Sequence, residues 1–218
     1  MTAIKIAILA SGAGSNAEVL LCEARAYYPS LEIVAVFTDN PSAGVIARAT
    51  QHATPLWVIP LLPLPGQSYQ QAKQRFEEEL LARLHDLQVQ WLFLAGFRRI
   101  LSAEFLQHFW QADLRVSRVV NIHPSLLPLF PGKDAYAQAF NAGVQESGIT
   151  LHFVDAGIDS GPIIAQEKFP RLSCDDFPRF CARGLQVEHL LYPRLLGELA
   201  KNGTITPSKE GPHAKPTL

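Results

Sequence analysis

Three residues pair chemically useful side chains with settings that hold them still: Asn121 and His123 in "NIHPSLLPLFPG" (121–132), and Asp159 in "DAGIDSGPII" (155–164). Proline holds φ at about −65° and restricts the residue ahead of it, so Pro124 limits the backbone of His123 while Pro128 and Pro131 stiffen the rest of the loop. An ordinary loop gains little from that rigidity. A catalytic loop gains a histidine aimed before substrate arrives. Asn121 and His123 close an apolar run and share a face wherever strand geometry persists. A lone histidine in such a place is often structural, and that reading stays open; the Asn partner, Pro124 and the later acidic turn favour the functional one. Within the turn, Asp155 can cap the loop. Asp159, ahead of Ser160–Gly161–Pro162, is better placed to enter a cleft and meet His123. For His152, in "LHF" (151–153), two readings stand side by side: a supporting partner of this site, or a satisfied structural histidine.

A second constellation lies near the start. "SGAGSNAE" (11–18) comes after the apolar run "IKIAIL" (4–9) and opens a helix. Gly12 and Gly14 let the backbone approach a ligand closely, and the unpaired N–H groups of a helix start attract anions, phosphate above all. Ser15 and Glu18 have capping-box spacing, which puts the helix start there. The plainer alternative is a tight turn whose glycines serve packing alone. Gly12, Gly14 and Ala17 also fit the loose pattern G-x-G-x-x-A, with Asp39 in reach of a ribose, as in a nicotinamide-dependent oxidoreductase. The pattern identifies an anion site and not its owner.

The elements around these residues alternate. Short apolar strands are expected at 4–9, 31–38, 55–59, 91–96 and 118–122, with helices at 17–26, 43–51, 68–87 and 102–110 between them. Ala72, Phe76, Leu80, Leu84 and Leu87 form one apolar stripe on the third helix. "PLLPLPGQ" (60–67) reads as a surface loop. Beyond the proline loop come a helix at 134–143, a strand pair at 148–154 and 162–169, and a long helix at 175–200 that Pro178 and Pro193 should start or kink. This order predicts an α/β fold: a Rossmann-like, mostly parallel sheet with helices on both faces and antiparallel additions in the C-terminal half. Ligands bind such sheets at the carboxyl ends of the strands, where both constellations fall. The expected layout is a single domain over 1–205, with a phosphate-binding half at about 1–100, a catalytic half at about 90–205 and a flexible tail at 206–218.

Composition narrows the classes. The 218 residues carry 19 Lys and Arg against 20 Asp and Glu, a formal charge of −1, so no global basic field recruits nucleic acid. No run reaches the roughly 18 apolar residues of a membrane span, and the N-terminus lacks a signal-peptide pattern, which makes a cytoplasmic location the expectation. Cys22, Cys174 and Cys181 have neither disulfide nor zinc-ligand spacing; they are expected as small apolar residues in or near the core, and no metal is expected.

Taken together, "SGAGSN" (11–16), "LAGFRRILS" (94–102), "NIHPSLLP" (121–128), "DSGPII" (159–164) and "VEHLLYP" (187–193) resemble, in that order, the phosphoribosylglycinamide formyltransferase family of folate-dependent enzymes. The resemblance implies the formyltransferase fold and transfer of the formyl group of 10-formyltetrahydrofolate to the amine of glycinamide ribonucleotide, in purine synthesis. It implies catalytic roles for Asn121, His123 and Asp159, and a phosphate loop of Gly12, Ala13, Gly14, Ser15 and Asn16. It implies a ribose contact for Glu188 and a folate pocket bordered by Lys73, Arg98, Arg99, Ile100, Leu101, Asp155 and Asp159. Lys73 stands where arginine is more usual, Arg98 where many members have Met, and Lys133–Asp134 where some carry a histidine. In the implied chemistry Asn121 and protonated His123 donate to an oxyanion, Asp159 favours the imidazolium and helps move protons, and Ser125 only steadies the loop. The implied partners are two small molecules, without nucleic acid or membrane, and the chain is expected as a monomer or homodimer. Among relatives of the same fold, methionyl-tRNA formyltransferase adds a tRNA-binding domain and formyltetrahydrofolate hydrolase an N-terminal regulatory domain; the length of this chain leads us to expect neither.

Overall fold

Residues that are apolar on both sides of a strand go to the middle of a sheet covered on both faces. That is where β1 (Ile4–Leu9) and β4 (Trp91–Leu94) lie in the computed structural model, which describes residues 2–208. In chain order the other elements are α1 (Ser15–Tyr27), β2 (Leu31–Thr38), α2 (Val45–Gln51), β3 (Leu56–Val58), α3 (Tyr69–Asp86), α4 (Ala103–Gln107), β5 (Trp110–Gln111), β6 (Val116–Ser117), β7 (Val119–His123), α5 (Ala135–Asn141), β8 (Glu146–Phe153), β9 (Ile163–Pro170) and α6 (Phe177–Asn202). Seven strands form one sheet in the order β3-β2-β1-β4-β7-β8-β9. The first five run parallel, and β8 and β9 are added antiparallel. This is the expected α/β architecture.

Alternation along β1 divides the core. Ile6 and Ile8 face one side, with α1, α5 and α6; Ala7 and Leu9 face the other, with α3 and α4. Helix α3 buries Ala72, Phe76, Leu80 and Leu84, and starts at a complete capping box in which Ser68 and Gln71 exchange side-chain and backbone hydrogen bonds. Helix α6 has Asp176 as its N-cap and Pro178 in its first turn; it runs through Pro193 without a break and ends at Gly203, in the left-handed region at φ 72°. Its buried stripe of Phe180, Gly184, Leu191, Tyr192, Leu195, Leu196 and Leu199 also includes a carboxylate, Glu188.

Register is what matters for function. Leu9 pairs with Leu94, and Leu94 with Asn121, so the glycine loop after β1 and the polar end of β7 leave the same sheet edge. Two strand spacings separate them, about 10 Å. Strand β8 sets His152 opposite Asn121 and Thr150 opposite His123.

The structure departs from the sequence expectations at several points. The Ser15–Glu18 capping box does not form: Gly14 is the N-cap, with no side-chain cap, and Glu18 pairs with Arg48 of α2. Trp110 belongs to the β5–β6 ribbon, because the helix before it ends at Gln107. Cys22 and Cys174 are exposed and Cys181 is half-buried, so the cysteines are not core residues. Ile205 is buried and the Ser208 N–H donates to the Ile163 carbonyl, which ties the start of the expected tail to β9. The remainder of that tail, 209–218, lies outside the described residues. No helix among the described residues is long and apolar enough to cross a membrane.

Candidate active site

The three residues read first come together at the end of β7. Nδ1 of His123 lies 3.2 Å from Oδ2 of Asp159, and its Nε2 lies 2.9 Å from the carbonyl of Phe130 in the proline loop. Both ring nitrogens therefore face acceptors. A neutral imidazole has one N–H and satisfies one of them; the imidazolium satisfies both, at the cost of a buried charge. Burial dominates in the free protein and pulls the ring below histidine's ordinary pKa, against the upward pull of the Asp159 carboxylate and the Phe130 carbonyl. Negative charge developing nearby would act in the same direction as Asp159, towards the imidazolium.

Asp159 is held towards its charged form. Its backbone sits at φ 50°, which aims the side chain back into the cleft. Burial works against its charge, but the charge that His123 can carry and the Gly132 N–H, which donates to Oδ2 at 2.7 Å, hold its pKa below the usual aspartate value. His152 completes the set. Its Nδ1–H donates to the Phe153 carbonyl at 2.9 Å, which leaves Nε2 to accept from the Asn121 amide at 3.1 Å, with Asp159 Oδ1 at 3.5 Å. His152 thus touches both Asn121 and Asp159, the contacts that the supporting-partner reading requires. Asn121 has a second amide hydrogen beyond this bond, and its side chain is only half-buried. Ser125 is fully buried and donates to Leu129 O, a loop hydroxyl as expected. Asp155 accepts from Gly157 N–H and Ser160 Oγ, which makes it the cap of the acidic turn.

The state of His123 has a measurable consequence. The unfolded chain protonates this ring at a higher pH than the folded one, so its contribution to stability is whole above about pH 6.5 and is lost as pH falls through the lower folded value. His123→Asn is expected to give a flatter dependence of urea-unfolding free energy on pH between about 7 and 5 than the wild type. Parallel curves would contradict the assignment.

The glycine loop is braced by α2. The Val45 N–H donates to Gly12 O and Arg48 Nε donates to Ala13 O at 2.8 Å. Gly14, at φ 78°, is so close to α2 that a Cβ would sit 2.7 Å from Val45 Cα. The role of Arg48 is not readable in the sequence, since no motif spacing links α2 to the loop. The side chain of Asn16 turns inward: its Nδ2 donates to Glu188, and its Oδ1 is buried without a hydrogen-bond partner. That leaves the backbone of Gly12–Asn16 as the part of the loop available to a ligand. Asp39, the candidate ribose ligand of the nicotinamide reading, is buried, accepts from Ser11 Oγ at 2.6 Å and pairs with Arg99 Nε at 2.5 Å. It is spoken for, and that reading loses its acidic residue.

The remaining residues flank this edge. The Arg98 N–H donates to Ser11 Oγ at 3.0 Å, while its side chain and that of Ile100 are exposed. Leu101 is buried in the core beside α3 and α4. Lys73 Nζ lies 3.8 Å from Glu77, whose carboxylate accepts from both N and Oγ of Ser102, which brings the lysine to the end of the "RRILS" segment.

A doubly wound sheet with a glycine loop after its first strand and an Asn–His–Asp cluster two strands away has the layout of an α/β enzyme. The chain belongs to the formyl transferase family, whose model matches residues 4–196. It is 36% identical over 195 residues to the phosphoribosylglycinamide formyltransferase of Bacillus subtilis (strain 168), covering 89% of this chain and 94% of that one. It is 38% identical over 208 residues to the trifunctional purine biosynthetic protein adenosine-3 of Drosophila melanogaster, of which it spans 14%. The crystal structure of phosphoribosylglycinamide formyltransferase from Bacillus halodurans superposes with a TM-score of 0.80 at 36% identity, over 92% of this chain and 97% of that one. The chain is thus a formyl-transferring enzyme of α/β fold.

Proposed function

We propose that this enzyme moves the formyl group of 10-formyltetrahydrofolate directly to the amine of glycinamide ribonucleotide, as a cytoplasmic step of purine synthesis, within one domain over 1–205. The observation that carries the reading is the shared sheet edge: the glycine loop and an Asn–His–Asp cluster leave it about 10 Å apart, a span that a ribonucleotide with a short amide arm can bridge. The phosphate docks on the backbone of Gly12, Ala13, Gly14, Ser15 and Asn16, and Glu188 accepts from the ribose hydroxyls. The folate lies along Arg98, Arg99, Ile100 and the acidic turn from Asp155 to Asp159, with Lys73 facing its acidic end.

The amine nitrogen attacks the formyl carbon, and the carbonyl oxygen gains negative charge. The free amide hydrogen of Asn121 donates to that oxygen. His123 takes up a proton from solvent, and the growing charge stabilises the resulting imidazolium, a form that suits both of its neighbours. Asp159 keeps that cation in place and passes the proton lost by the amine towards the departing folate nitrogen. The bond from formyl carbon to folate nitrogen then breaks, and no covalent enzyme intermediate forms.

Titration calorimetry separates this reading from the nicotinamide one. Saturable binding of glycinamide ribonucleotide without binding of NADH is expected; tight stoichiometric NADH binding would overturn it. Gly14→Ala, which forces a side chain into α2, is expected to weaken ribonucleotide binding at least about tenfold. Unchanged affinity would remove the glycine loop from the substrate site.

A further inference from the structure

Glu188 is a carboxylate in an apolar stripe, buried between α1, α5 and α6, and its direct partners are neutral. The hydroxyl of Tyr136 on α5 donates to Oε1 at 2.5 Å, and the amide of Asn16 on α1 donates to Oε2. Tyr192 and Cys181 of α6 are the other titratable groups that face it. Burial raises the Glu188 pKa, and the two donated hydrogen bonds act against that rise. A carboxylate has about four lone-pair sites; two are filled here, which leaves one on each oxygen for donors from a ligand. The unpartnered Oδ1 of Asn16 adds another buried acceptor to the cluster.

Tyr136 is held firmly. Its ring packs edge-on against Phe180, with centroids 6.2 Å apart at 86°. It also fills the space above Gly184, where a Cβ would come within 2.4 Å of the ring. Gly184 lies one helical turn before Glu188 on α6, so the missing side chain admits the tyrosine to the carboxylate. The hydroxyl is therefore aimed from a fixed ring and not from a mobile surface side chain.

Resting on the proposed ribonucleotide reading, we propose that Tyr136 is a positioning residue for substrate hydroxyls. It acts through Glu188, fixing which carboxylate lone pairs face the ribose.

The test is a double-mutant cycle with Tyr136→Phe, which preserves the packed ring, and Glu188→Gln. Tyr136→Phe is expected to raise the ribonucleotide KM and calorimetric Kd about tenfold, with kcat and the folate KM unchanged. The acid-side inflection of the ribonucleotide KM should move to higher pH, because Glu188 has lost a hydrogen-bond donor. In the Glu188→Gln background the same substitution is expected to change KM by less than about twofold. Wild-type KM and pH profile in Tyr136→Phe, or an equal effect in both backgrounds, would overturn the proposal while leaving Glu188 as the ribose ligand. An unchanged ribonucleotide KM in Glu188→Gln would overturn the ribose assignment together with it.

Discussion

Asp159→Asn is expected to fold as the wild type and to lose about 10²–10⁴ in kcat, with the KM of either substrate moving only a few-fold. The isostere keeps the size of the side chain, and asparagine accepts the left-handed backbone at φ 50°. An amide oxygen can still accept from the Gly132 N–H, which now donates at 2.7 Å. The substitution removes the negative charge 3.2 Å from His123 Nδ1. Without it only the Phe130 carbonyl offsets the burial that disfavours the imidazolium, and no carboxylate remains to relay the amine proton. Steady-state kinetics with both substrates checks this. Turnover within about tenfold of wild type would take Asp159 out of the proton-transfer step.

Asn121→Ala is the second large effect, an expected loss of about 10²–10³ in kcat. The amide has two hydrogens. One is committed to His152 Nε2 at 3.1 Å, an acceptor because its other nitrogen donates to Phe153 O. The other is free for the oxygen of the formyl group as that oxygen turns anionic, which is why the loss falls on kcat and not on binding. Single-turnover measurements at saturating substrates isolate the chemical step. A variant that keeps more than about a tenth of the wild-type rate would assign the oxyanion to another donor.

The sheet is legible in the sequence because its strands are short apolar runs bounded by glycine, proline or polar turns: β1, β2, β4 and β7 each fall within about a residue of the expected bounds at one end or both. The strand pair after residue 146 reads as antiparallel because a turn too short for a crossover separates β8 from β9. Trp110 reads wrongly as helix because a two-residue strand has too few positions to show a period, and its partner is set by tertiary contact. The Ser15–Glu18 spacing misleads for a different reason. Two residues i and i+3 apart satisfy a capping box only when nothing stronger competes, and Arg48 from another helix takes the glutamate.

At the site, side-chain types and the rigid proline mark Asn121, His123 and Asp159, and the register of β7 with β8 then explains His152. The backbone groups of Phe130 and Gly132 are invisible in the sequence, because any residue can supply a carbonyl or an N–H and only the turn that aims them matters. Asn16 shows the limit of motif reasoning in the other direction. Its position in the glycine loop implies a phosphate ligand, but the side chain is drawn away by Glu188, a residue 172 positions further along. Long-range pairs of this kind decide roles within a motif, and sequence spacing does not contain them.

Direct formyl transfer between two bound substrates can be followed by the absorbance of the released folate. Purified enzyme with glycinamide ribonucleotide and 10-formyltetrahydrofolate is expected to release tetrahydrofolate at a rate that vanishes when either the ribonucleotide or the His123 ring is removed. Folate release that continues without the ribonucleotide would contradict the account, for it would mean that water, and not the amine, receives the formyl group.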